Sequence, residues 1–461
     1  MAVELAGLLV VNGGYLVVGI AALLALRWVT AERRTWYRLG VAYLFGLVIV
    51  TLPASYVALA GVPVSWTATF VGLVVVALAV WRVGLRWPHV RLARPTLSVG
   101  GLAGAGIGAV LLVLLLYASR TFAIRPLVDW DSWAVWTVKA RLLYSDPSLA
   151  PAALRSGNYG QTPYPIALPT LEALGFGAMG RYDGTLIGVQ FILLALGFPL
   201  ALWSLLRSRA RSWTIALAAL AILSAPQLLY QLLTHYADVP LGLFVGLGLA
   251  AGAAWLVSEP ADGWLLGCFA AFLGMAGLTK SEGFLFALAG AVALGVATLA
   301  TRERRRLVPA AAGIGALLAV LLPWRVYCLA YGLSTPDYDL NHVTDVSYLR
   351  AHADRLHPVI SELWRQLTMT NKWGLLVWVI PLALLAGLAA ASWRLLAFAV
   401  AWLVLAAGGL LLTYWVSTLP LGSNLTNTSY RTIVSLLVGG TALVPLFVFP
   451  RPPDDAEQAS S

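Results

Sequence analysis

Asp129 and Asp131 stand in LVDWDSWAVWTVKARLLYSD (residues 127–146), just past a long apolar run, among three tryptophans and beside Lys139 and Arg141. A carboxylate at the mouth of such a run can serve as a general base toward a hydroxyl at the lipid–water boundary. Asp131 is the candidate base, with Asp129 and Lys139 as substrate-binding neighbours. A competing reading makes Asp131 a helix cap and the tryptophans interfacial anchors. Val135, Val138, Leu142 and Leu143 would share one helical face, the pattern of an amphipathic helix resting on a membrane surface.

Three further constellations carry charge next to apolar runs. LLTHYADVPLG holds His235 and Asp238, and the proline two residues on can open a helix. Asp238 therefore reads equally as a helix cap or as a second acid of the same site, with His235 beside it. GLTKSEGFL sets Lys280 and Glu282 in a tight turn between two apolar runs. Ionisable groups in that position are functional candidates by default, and a lysine there offers a point charge to a phosphate. The alternative is a Lys–Glu pair that satisfies itself. Arg325 and Arg431 stand at the ends of apolar runs, where a guanidinium can grip a phosphate in bidentate fashion or snorkel to the boundary.

The elements that must position these groups are membrane helices. Of 461 residues, 60% are hydrophobic and only 11% are charged, against about 25% charged in soluble domains. By the 20-residue criterion about 13 apolar runs are long enough to cross a bilayer, so the fold class is all-α and polytopic. The net charge of +10 reflects arginines clustered between runs, which is a membrane-topology signal and gives no reason to expect nucleic acid. These clusters hold Arg27, Arg33, Arg34 and Arg38; Arg82, Arg86, Arg91 and Arg94; Arg207, Arg209 and Arg211; and Arg302, Arg304, Arg305 and Arg306, with Arg394 and Arg451 on the same side. The positive-inside rule makes that side cytoplasmic. The N-terminus is then outside, the C-terminal tail inside, and the acidic constellations face outward.

Three outer connections are long: residues 120–183, 331–372 and 417–430. Within the first, residues 166–180 are apolar but too few to cross, and read as a helix lying in or dipping into the outer leaflet. Cys268 and Cys328 lie inside apolar runs as packing residues. His342, His352 and His357 match no metal-ligand spacing. No phosphate-binding glycine loop, GxSxG or HExxH occurs.

The order of these motifs resembles a known family. A run feeding an outward acidic stretch with an amphipathic helix, then TPYPIALPTLEAL, an Arg-rich inner turn, HYADVPL and GLTKSEG is similar to the polyprenyl-phosphate-dependent type C (GT-C) glycosyltransferases. That class includes the protein O-mannosyltransferases and the lipid A aminoarabinose transferase. The resemblance covers roughly residues 99–301. It implies a GT-C-like catalytic membrane module at 98–301 with outer loop 120–183. Residues 1–97 would then be additional N-terminal helices, and 302–461 a C-terminal set with outer loop 331–372. It further implies Asp131 as the catalytic base, Asp238 as the second acid that arranges the site, and Lys280 as a contact to the donor phosphate. Tyr164, His235, Glu282, Arg325 and Arg431 are the remaining substrate-binding candidates. Ser132 stands where the family commonly has a second acid, which leaves a divalent cation an open question and no metal ligand assigned.

The implied function is inverting transfer of a sugar from a polyprenyl-phosphate donor to a glycan, lipid or protein acceptor, on the outer face of what is expected to be a bacterial plasma membrane. A lipid-phosphate sugar carries its own leaving group, so one in-line carboxylate suffices, by analogy with the base of inverting glycosidases. The alternative class is a secondary transporter or lipid flippase, in which charges line broken helices near the bilayer midplane. Convergence of Asp131, Asp238 and Lys280 on one place discriminates between the two.

Overall fold

The computed structural model describes residues 2–30, 33–83, 99–124, 127, 129–156, 161–259, 261–300, 303–334, 340–390 and 392–448, and among them the regular structure is helical. Arg86, Arg91, Arg94, Arg302 and Arg451 lie outside the described residues. An N-terminal group, α1 (Ala2–Ala25), α2 (Ala42–Ala58) and α3 (Val64–Val83), precedes α4 (Val99–Ile124), which leads into the Asp131 stretch. Short helices α5 (Val138–Ser145), α6 (Ala150–Arg155) and α7 (Ala167–Met179) occupy the first long connection. Then come α8 (Gly188–Leu206), α9 (Ser212–Leu223), α10 (Pro226–Leu233), α11 (Asp238–Leu256), α12 (Gly263–Thr279), α13 (Ser281–Ala300) and α14 (Arg304–Ala330). The second long connection holds α15 (Val346–Ala351), α16 (Leu356–Leu367) and α17 (Thr370–Trp373), before α18 (Leu376–Ala389), α19 (Trp393–Trp415), α20 (Leu421–Thr432) and α21 (Val434–Val448).

Every expected apolar run forms helix, but not every one is a full span. Nine described helices are long and apolar enough to cross a membrane, or ten if α9 and α10, bent by 63° at their junction, count as one. The bend follows from Pro226, which opens α10 and forces the residue before it, Ala225, into extended backbone. Helices α12 and α18 have 17 and 14 residues, and α4, whose side chains are described only in part, is helical over 26. The 13-residue α7 spans about 20 Å at 1.5 Å per residue, short of the roughly 30 Å hydrocarbon core. It packs against α1, α2 and α3.

At the centre stands α11, all 19 of whose residues are buried, against α12, α21 and α8. The helix is apolar nearly all round and is covered all round, and Gly242, Gly246, Gly248 and Gly252 keep its surface narrow enough for neighbours to close in. Its far end is finished by Arg306, whose guanidinium donates to the carbonyls of Trp255 (2.9 Å), Leu256 (3.2 Å) and Ser258 (2.7 Å) and to Glu303 (2.7 Å). These are carbonyls that a helix end leaves without intrahelical partners. At the same end Arg38 pairs with Asp262 at 2.6 Å.

The N-terminal helices belong to the same packed body. Asn12 of α1, Tyr43 of α2 and Gln190 of α8 form a closed ring. Asn12 Nδ2 donates to Gln190 Oε1 (2.9 Å), Gln190 Nε2 to Asn12 Oδ1 (3.0 Å), and the Tyr43 hydroxyl to Asn12 Oδ1 (2.7 Å). Amides buried among apolar helices hold together because the alternative is an unpaired polar group. Gln190→Leu is expected to cost about 1 kcal/mol. The Asn12→Leu/Gln190→Leu double variant should lose less than the two single losses combined, as thermal unfolding in detergent would record.

Candidate functional site

The opposite end of α11 begins with an acid where burial is complete. Asp238 is 2% exposed, and it is not the helix cap: Ala237 occupies that position, without a side-chain capping bond. Its carboxylate instead accepts from Lys280 Nζ at 2.8 Å through Oδ1, and from Arg431 Nε and Nη2 at 3.1 and 3.0 Å through Oδ2. A buried carboxylate requires such compensation, because desolvation costs several kcal/mol per ion.

Each partner is delivered by a local feature of the chain. Lys280 is a one-residue extended break (φ −153°, ψ 157°) between α12 and α13. The two helices leave this break in contact, since a Cβ at Gly283 would sit 2.0 Å from the Ala276 carbonyl oxygen. That contact is what the GLTKSEG motif encodes. Lys280 also pairs with Glu282 at 3.0 Å. Arg431 arrives from the last turn of α20, with its guanidinium 4.1 Å from the centroid of the Tyr236 ring, in the geometry of a cation–π contact.

Arg431 then reaches Asp131, with Nη2 to Oδ2 at 2.5 Å. Asp131 opens a seven-residue π-helical segment, Asp131–Thr137, a distortion that recurs at functional sites. The Oγ of Ser132 donates to the Thr234 carbonyl, which pins this segment to the turn before α11. Asp131 is no cap either, Trp130 holding that position. Its side chain is 21% exposed, against 8% for Arg431 and 2% for Asp238. The cluster therefore has an accessible rim and a dry floor. Three carboxylates against two cations leave it one net negative charge.

Asp131, Asp238, Lys280, Glu282 and Arg431 thus form one chain of contacts. The other candidates go elsewhere. Lys139 is fully buried and donates to the carbonyls of Gln161 (2.8 Å) and Tyr164 (3.1 Å). The Tyr164 ring stacks on Trp136 at 5.6 Å. These two residues fasten the chain after position 160 to the π-helical segment and α5, apart from the charged cluster. Arg325 lies with its guanidinium 4.1 Å from the centroid of the Phe284 ring, its helix carrying it to α13 and not into the cluster. The His235 imidazole stacks on Phe191 of α8 at 5.0 Å, on a left-handed backbone (φ 56°). Asp129 meets the Tyr230 hydroxyl at 3.4 Å, a long contact beside the rim. Asp337 and Asp339, in the second long connection, lie outside the described residues.

Tyr236, Ser132 and Tyr430 were not singled out as functional from the sequence. Their signal was present only as neighbours of charged residues: Tyr236 within HYADVPL, Ser132 after Asp131, Tyr430 before Arg431. Cys268 and Cys328 are buried free thiols. Among the described residues no group of three or more His, Cys, Asp or Glu side chains is placed to hold a metal ion. No family model, curated protein or solved structure matches the chain.

Two consequences are measurable. Asp238→Asn leaves Arg431 and Lys280 short of compensation and should destabilise the protein by about 3–5 kcal/mol. Asp131→Asn, at the rim, should cost only about 1 kcal/mol; matched unfolding curves would compare them. Burial pushes the Lys139 ammonium down to about 7. Between pH 8 and 9.5 the unfolded chain, whose lysines titrate near 10.4, then binds the extra proton, so stability rises with pH through this residue. In Lys139→Met that part of the slope should vanish from the midpoint-versus-pH plot.

Proposed function

We propose that the chain is a membrane glycosyltransferase that moves a sugar from a polyprenyl-phosphate donor to an acceptor hydroxyl, with inversion, at the site-bearing end of the bundle. That end is the outer face if the arginine-rich connections are cytoplasmic. The observation that supports this reading is the sharing of Arg431 between Asp131 at the rim and Asp238 on the floor.

In the reaction, Asp131 accepts the proton of the acceptor hydroxyl as its oxygen bonds to the anomeric carbon. The bond from that carbon to the phosphate oxygen breaks on the opposite face, and the electron pair leaves with polyprenyl phosphate. The leaving phosphate gains one negative charge as Asp131 loses one. Arg431 stands between two acids, and protonation of Asp131 releases part of its charge. A guanidinium freed in step with the developing phosphate charge stabilises the transition state more than the ground state, which is the requirement for catalysis. Lys280 takes a different part from the one the resemblance implies. Held by Asp238 and Glu282 and nearly excluded from solvent, it is a positioning residue that keeps the Asp238 carboxylate aimed at Arg431.

A second reading, a secondary transporter, draws on the broken helix pair α9–α10. Broken helices in transporters bring charges or helix ends to a substrate near the midplane. Residues 212–233 contain no Asp, Glu, Lys, Arg or His, and the charged cluster sits at helix ends, so the transferase is favoured. Purified protein given radiolabelled polyprenyl-phosphate sugars and a membrane extract as acceptor should transfer label. Asp131→Asn should lower the rate by about 10²–10⁴-fold while remaining folded and retaining donor binding. Equal rates would remove Asp131 from the mechanism, and ion- or lipid-coupled flux in liposomes without transfer would replace the transferase by the transporter.

A further inference from the structure

Beside the charged cluster, α16, α17 and α20 enclose an open cavity of about 560 Å³. Its walls include Glu362, Arg365, Gln366, Lys372, Thr426 and Tyr430. Tyr430 precedes Arg431 in α20, and its hydroxyl is within electrostatic reach of Arg431, Asp238 and Asp131. The cavity and the cluster therefore share a wall. The size falls in the range of small-molecule sites.

The charges in this cavity are not all spent. Arg365 gives Nε and Nη2 to Glu362 at 2.8 and 2.7 Å, and Glu362 also accepts from Gln366 (2.8 Å) and Ser429 (3.1 Å). Arg365 first, against burial, and then Gln366 and Ser429 hold Glu362 down at about 2, so it is a fixed carboxylate already matched by a guanidinium. Lys372 differs. Its ammonium donates to Gln366 Oε1 at 3.0 Å and lies 5.1 Å from the Tyr430 ring centroid, and among the described residues no carboxylate pairs with it. Burial, and then the nearby charge of Arg365, make its protonated form less favourable than in a free lysine, and the Glu362 carboxylate offsets only part of this. An incoming anion would relieve that.

We infer that this cavity binds an anionic carbohydrate, with the Tyr430 ring against the sugar face, Thr426 and Glu362 toward its hydroxyls, and Lys372, held by Gln366, on its negative group. Aromatic faces and planar polar side chains suit a polyol, and one ammonium with no carboxylate in direct contact, among the described residues, suits one carboxylate or phosphate. Its use as the acceptor subsite rests on the transferase reading above. The binding itself does not, and is measured without turnover.

The experiment is calorimetric titration of the purified full-length chain in lipid nanodiscs with three probes: a disaccharide ending in glucuronic acid, its methyl ester, and the same disaccharide carrying a phosphate monoester. Wild type should bind an acidic probe at least about tenfold more tightly than the ester, a difference of 1.4 kcal/mol, and the two acidic arms identify the preferred anion. Lys372→Met should erase the preference and Lys372→Arg should keep it. Retained preference in Lys372→Met, equal binding of acid and ester by wild type, or binding of no probe overturns the assignment. Failure of sugar transfer with this pattern intact would count against the transferase and leave the carbohydrate site standing.

Discussion

The carboxylate of Asp238 is the constraint to which the rest of this end of the molecule answers. Because α11 is buried along its whole length, its first residue cannot be solvated, and an ionised group there is tolerable only with partners in good geometry. Lys280 and Arg431 are those partners, and both are themselves nearly inaccessible. Satisfying them in turn recruits Glu282 and Asp131. One buried acid thus fixes the α12–α13 junction, the end of α20 and the π-helical segment relative to each other, although these are far apart in the chain.

The same helix is treated symmetrically at its other end. An acid at the N-terminus and a guanidinium over the C-terminal carbonyls both complement the helix dipole, and Arg306 leaves few of those carbonyls unpartnered. A central helix anchored by charge at both ends, and by apolar contact between them, cannot slide or rotate without exposing one of the two. Site geometry is thereby held by the core of the bundle and depends little on its loops. The Asn12–Tyr43–Gln190 ring extends this rigidity to α1 and α2, so the N-terminal helices support the frame into which α8 and α11 pack.

Hydropathy made the helices legible, since each apolar run became one, but it could not show that Pro226 bends one pair by 63° or that α18 stops at 14 residues. The acids and Lys280 were legible because charge next to an apolar run is expensive and so conspicuous. What could not be read was pairing. Arg431 and Asp131 are 300 positions apart, and nothing in either segment names the other. Burial was equally hidden: Lys139 sits on the flank of an amphipathic pattern, where a solvated amine is expected, yet it is enclosed and spends its donors on two carbonyls. Arg325 is ambiguous for a related reason. A guanidinium at the end of an apolar run has the same appearance whether it meets a ring or a phosphate.

Ser132 shows how the local fold narrows the chemistry. Its hydroxyl is buried and directed at the Thr234 carbonyl oxygen, so the position requires a donor. A carboxylate there would face an acceptor and add a fourth negative charge to a cluster already carrying one in excess. A serine at this position follows from how the π-helical segment docks on the turn before α11. That docking also brings Asp131 to Arg431, so the Ser132 hydroxyl helps to orient the neighbouring carboxylate. In the proposed reaction Asp131 is consequently the sole proton acceptor of this segment, with Arg431 shared between it and Asp238.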